Sequence, residues 1–170
     1  MVARNALIFR WTVYAAAALL CVFAQTAVLQ RVHIWGVIPF LYPAVAAIPA
    51  TFEGPVPGTV FALAVGVLCD TLLPAPIPCF YTLIFPVAGL CAALLTQSIL
   101  PAGVSSSLAS TAIAFLLTGL FGCLLLWFRG KTDWETGMLV ALRECLVTLP
   151  FTLPMTALFR AVHRRTHRDD

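Results

Sequence analysis

Apolar residues in this chain neither alternate in twos nor form narrow helical stripes; they run in long blocks broken by short clusters of proline, glycine and charge. A helix needs ~20 apolar residues to cross the ~30 Å hydrocarbon layer of a bilayer. Six blocks come close to that length, at about 11–30, 34–51, 57–73, 79–99, 104–128 and 136–159. The pattern predicts an all-α membrane protein: a six-helix transmembrane bundle in which residues 1–170 form a single transmembrane domain, with a basic cytoplasmic tail at 160–170. The first block follows Arg4 and Arg10 as a signal peptide would, but it runs on to about Leu29 without a convincing small-x-small cleavage site, so a retained first span is expected.

The interruptions carry the local information. Glu53-Gly-Pro-Val-Pro-Gly58 reads as a tight turn, with Pro57 in the first turn of the third helix and Glu53 near that helix's positive end. Pro74-Ala-Pro-Ile-Pro78 reads as an extended turn at the opposite end, because proline and the restriction on its predecessor both oppose helix. The second block contains Pro39, Pro43 and Pro49, each lacking a backbone donor, so it should be bent or partly unwound and covered by neighbours. Thr132-Asp-Trp-Glu135 has the capping-box pattern that would start the last helix.

Composition agrees with membrane burial: 61% of residues are hydrophobic and 10% charged, far from the ~25% charged of a soluble chain. The net charge of +3 does not describe a nucleic-acid surface, since four of the ten Lys and Arg lie in the last eleven residues. Arg4 and Arg10 precede the first span, and Arg160, Arg164, Arg165 and Arg168 follow the last; only Arg31, Arg129 and Lys131 fall in the other loops. The positive-inside rule therefore puts both termini in the cytoplasm. Trp11 at the inner edge and Trp35, Trp127 and Trp134 at outer edges fit indole anchoring at headgroup level.

Within the third block, Gly58, Ala62, Gly66 and Asp70 recur at spacing four and so share one helix face. Gly58, Ala62 and Gly66 form a small-residue groove for helix packing or for a partner. Further small stripes occur at Gly89, Ala92, Ala93 and Thr96 and at Ser110, Ala114, Thr118 and Gly122. Asp70 is the costly residue, since a carboxylate in an apolar span must face the protein interior and find a partner. The sixth span adds Arg143 and Glu144, which point ~100° apart on a helix and so do not simply neutralise each other. Depth arithmetic at ~1.5 Å per residue places Asp70 and Arg143 at similar levels, which permits an ion pair between buried charges. The alternative is that Asp70 caps the proline-rich turn while Arg143 snorkels to the headgroups.

Other chemistry is sparse in the sequence. Six cysteines are scattered through apolar runs without CxxC or Cys/His spacing and read as small buried hydrophobes. His163 and His167 are four apart, but with no third ligand nearby they read as part of a solvated tail. Asp70 is the single aspartate in a predicted span, which argues against an intramembrane aspartyl protease, and no GxxxxGK, HExxH or Mg²⁺-binding acid cluster occurs. A non-enzyme is expected, with no cofactor and no metal. Two classes remain: a scaffold that binds partner helices, and a solute-binding subunit of a transporter.

The stretch Gly58-Thr-Val-Phe-Ala-Leu-Ala-Val-Gly66-Val-Leu-Cys-Asp70 resembles the MreD family of bacterial rod shape-determining proteins, marked by two glycines followed by an aspartate after a few apolar positions. Glu53-Gly54 resembles that family's inner turn, whereas Pro74 to Pro78 departs from its usual glycine-leucine turn. The resemblance implies a non-catalytic plasma-membrane component of the cell-wall elongation machinery that partners MreC and lies near the RodA polymerase and its transpeptidase. The family is also similar in architecture to the six-helix substrate-binding subunits of energy-coupling-factor vitamin transporters, which supplies the alternative function.

Overall fold

The computed structural model describes residues 2–99, 101, 103–131 and 133–166, with side chains from residue 7 onward. Among them are six α-helices: α1 (Val2–Ala27), α2 (Tyr42–Glu53), α3 (Pro55–Leu72), α4 (Phe80–Ser98), α5 (Val104–Phe128) and α6 (Trp134–Thr166). A 3₁₀ turn, Leu29–Arg31, follows α1. All but α2 are long and apolar enough to cross a membrane. The chain is thus a helical, multi-pass membrane protein.

The second block departs from the expected span. Its helix starts at Tyr42, not near residue 34, and twelve residues at ~1.5 Å each give ~18 Å, too short for a ~30 Å core. Before it, Ile34 and Val37 exchange both backbone hydrogen bonds (3.0 Å each) around Trp35-Gly36, both at positive φ, and residues 38–41 are irregular, with Leu41 already in the α region. Four residues of irregular chain add at most ~13 Å, so a crossing here needs that chain as well as the short helix. Proline explains the division. Pro39 opposes helix before it, whereas Pro43 sits in the first turn, where a missing N–H costs nothing.

Short as it is, α2 is the axis of the bundle: every residue from Tyr42 to Thr51 is buried. It packs on α3, α4, α5 and α6, and α1 closes over it from the α6 side. Buried backbone outside a helix needs partners in the protein. Gln25 of α1 supplies two, donating to the Pro39 carbonyl (2.7 Å) and accepting from Leu41 N–H (3.0 Å). Thr148 of α6 supplies a third by accepting from Phe40 N–H (3.0 Å).

Around the second half of α2 the core is made of alanines, Ala47 and Ala50 against Ala88, Ala92, Ala93 and Ala114. Small side chains let the backbones come close enough for dispersion to replace the hydrophobic drive that lipid does not provide. Larger residues fill the rest of the core, with Tyr14, Tyr42, Phe85 and Phe159 almost fully buried. At one margin the Thr96 and Ser106 hydroxyls pair at 2.8 Å and tie α4 to α5.

The basic segment expected as a tail from 160 is helical through Thr166, and 33 residues make α6 ~50 Å long, so its last turns reach beyond a ~30 Å core. His167 and Arg168 lie outside the described residues, as do the side chain of Arg4 and Thr132 of the expected capping box. The six cysteines are free.

Candidate functional site

The C-terminal end of α2 carries the most densely bonded charge in the described structure. Gly54, at φ +88°, alone separates α2 from α3, a backbone conformation that a side chain would strain. This sharp reversal leaves Glu53 directed between α1 and α6, with its side chain 1% exposed. One carboxylate oxygen is paired with the Arg10 guanidinium. The other accepts from the Tyr14 hydroxyl at 2.7 Å and lies 3.1 Å from His163 Nδ1. Tyr14 stacks on Phe159 (centroids 6.2 Å apart) and His163 lies beside Phe52 (5.6 Å), so apolar rings surround the cluster.

Glu53 thus does more than place a charge at a helix start. Among the described residues both ion pairs end on it, and they join three helices that are distant in sequence. A carboxylate this well supplied with donors is a clasp: its charge is balanced and its lone pairs are occupied. The clasp also brings the N-terminal part of α1 and the C-terminal end of α6 to the same end of the bundle. Arg10 had been expected only as a flanking charge and His163 only as part of the tail. The available signal was Tyr14, a polar aromatic one turn after Arg10 on the same face of α1.

At the opposite end of α3, Asp70 is occupied by α4. Its two carboxylate oxygens accept from the backbone N–H of Tyr81 (3.0 Å) and of Thr82 (2.8 Å), and the Thr82 hydroxyl also donates to it. Those amides belong to the first turn of α4, so Asp70 caps a helix other than its own, close to that helix's positive end. The expected pair with Arg143 is not formed. Arg143 is exposed on the outer face of α6, beside Leu139, Leu142 and Leu146, and is not a buried charge. The depth argument failed on lateral placement: α3 packs on α2 and α4, whereas α6 packs on α5, α1 and α2. Glu144, ~100° further round the helix, is partly buried.

The small stripe of α3 is filled from within the chain. A Cβ on Gly58 would stand 2.5 Å from Ala50 Cα, and one on Gly66 would stand 2.6 Å from the Tyr81 carbonyl oxygen. Ala62 is fully buried and faces Gly89 of α4, where a Cβ would lie 2.8 Å from the alanine methyl. Gly58, Ala62 and Gly66 are therefore packing positions for α2 and α4 and leave no open groove for a partner.

Among the described residues no three His, Cys, Asp or Glu come together in a way that could hold a metal ion. Comparison with known protein families, with curated proteins and with solved structures finds no match to this chain. Fold and site together define a polytopic helical membrane protein fastened by one fully bonded acid at each end of α3.

Proposed function

We propose that this protein is a non-catalytic scaffold of the bacterial cell-wall elongation machinery, seated in the plasma membrane with both termini in the cytoplasm, where it binds MreC close to RodA and its transpeptidase. The reading starts from the likeness of Glu53-Gly54 and of Gly58 to Asp70 to the MreD family. The observation that carries it is that every marked residue in this stretch holds helices together: Glu53 clasps α1 and α6, Gly58 and Gly66 admit α2 and α4, and Asp70 caps α4. A motif spent wholly on packing suits a protein whose product is a rigid surface for neighbours. Its architecture we take to be that of the six-helix substrate-binding subunits of energy-coupling-factor transporters, turned to a structural use. The placement of Arg10, Arg160, Arg164 and Arg165 about the end where the termini meet supports the cytoplasmic assignment.

Copurification in a mild detergent tests the reading. MreC should accompany the tagged protein, and cells lacking the gene should lose their rod shape while vitamin uptake stays normal. Recovery of an ATPase pair with a coupling membrane protein, together with normal shape and lost uptake of one vitamin, would reverse it in favour of the transporter subunit.

A further inference from the structure

A cavity of about 460 Å³ opens between α4, α5 and α6 beneath the Pro74–Pro78 turn, at the end of the bundle away from the Glu53 clasp. The volume falls within the ~300–1,000 Å³ of small-molecule sites. Four aromatic rings, Phe40, Phe80, Tyr81 and Phe115, cluster in its wall. Phe40 lies 6.3 Å from Tyr81 and 6.4 Å from Phe115 between ring centroids, and Phe80 meets Tyr81 edge-on at 5.1 Å. Into this wall α6 brings Glu144, the one charged side chain among the described residues that line the cavity.

The carboxylate of Glu144 has neither a hydrogen bond nor an ion pair among the described residues. Arg143, next in sequence, does not serve, because it points ~100° away around the helix and is exposed. Glu53 and Asp70 each hold a full set of donors, so Glu144 stands apart from the other acids buried in the bundle. An unpaired carboxylate in an apolar wall is stabilised by a counter-charge, and aromatic faces attract the same kind of charge. The geometry is also preformed. Thr148, one turn beyond Glu144, donates to the Glu144 carbonyl (2.7 Å) while accepting from Phe40 N–H, which fixes the acid and the ring relative to each other. At the mouth, Arg129 of α5 holds the Pro76 carbonyl and so fastens the turn that forms the rim.

We infer that this cavity binds a small organic cation with an aromatic or apolar body, its charge set against Glu144 and the surrounding rings, and admits it from the end of the bundle away from the termini. The inference does not rest on the scaffold reading: a protein that failed to bring down MreC would still bind the cation, and the reverse also holds.

Titration calorimetry on the full chain in nanodiscs of zwitterionic lipid tests it, with benzyltrimethylammonium as the cationic probe and benzenesulfonate as its anionic counterpart. The cation should bind and the anion should not. Glu144→Gln should weaken cation binding by about tenfold or more, and Arg143→Gln by less than about twofold. Val140→Trp, which fills the cavity from α6 and keeps the acid, should also abolish binding. It decides the matter alone if Glu144→Gln does not purify as a monodisperse species. Absence of cation binding to the unaltered protein, equal binding to Glu144→Gln, or undiminished binding to Val140→Trp would each overturn the inference.

Discussion

Asp70 and Glu53 show how differently two acids can be resolved in one apolar chain. Only Asp70 was costly on sequence grounds, Glu53 reading as a turn acid, yet Asp70 is solved by backbone amides and Glu53 by side chains. The C-terminus of α3 is a poor place for an anion only while that helix is considered alone. In an antiparallel hairpin the same point lies beside the N-terminus of the next helix, where free N–H groups and the dipole welcome a carboxylate. Asp70→Ala should therefore destabilise the bundle by about 1–3 kcal/mol through loss of the cap. Arg143→Gln should leave stability nearly unchanged. SDS-induced unfolding of the purified variants measures both, and a charge-swapped Asp70→Arg/Arg143→Asp double variant recovering stability would contradict the capping role. For Glu53 the cost is larger. Glu53→Ala removes the buried carboxylate on which Arg10, Tyr14 and His163 converge, and about 3–5 kcal/mol should be lost in the same assay.

Helix α3 illustrates what a stripe of small residues does when its own chain supplies the opposing helices. Its packed face, Gly58, Ala62 and Gly66, lies against α2 and α4, while Val60, Leu63 and Val67 on the other faces are exposed toward lipid. Even a single methyl at Gly66 would meet the backbone of Tyr81 and Thr82, which cannot rotate away as a side chain could. Gly66→Ala is accordingly expected to cost about 1–3 kcal/mol by overpacking, against less than about 0.5 kcal/mol for Leu63→Ala on the lipid side. Equal losses in the two variants would show that α3 does not approach α4 this closely. The short α2 makes the complementary point. With Pro49 inside it and irregular chain before it, it holds its place through Gln25, Thr148 and a wall of alanines, so Gln25→Leu should destabilise the protein although Gln25 lies on a different helix.

For the whole molecule, the Glu53 clasp sets the topology. Arg10 at the start of the membrane part of α1 and His163 near the end of α6 meet the same carboxylate, which requires an even number of crossings between them. The α3–α4 turn, with the exposed Cys79, then belongs to the other side. In a variant retaining Cys79 as its single cysteine, a membrane-impermeant maleimide should label intact spheroplasts from outside, while a reporter fused after residue 170 should be active in the cytoplasm. Cytoplasmic labelling of Cys79 would invert the proposed orientation.

How much of this was legible in advance follows from the range of each interaction. The long apolar blocks determined by themselves that the chain is helical and membrane-embedded, and placed α3, α4 and α5 to within about two residues, because span length and proline punctuation act locally, whereas α1 begins before its apolar block and α6 continues past its own. The small stripe of α3 was equally plain, since spacing four fixes a shared face whatever lies opposite. What lay opposite was not in the sequence. Which helices adjoin decided that Asp70 would meet the amides of α4 and that Arg143 would face outward. Only tertiary structure joined Arg10, Tyr14 and His163 on Glu53, residues separated by up to 153 positions, or left Glu144 facing a walled cavity. Periodicity reports which way a side chain points from its own helix; the partner it meets depends on lateral packing, for which an apolar sequence carries almost no local signal.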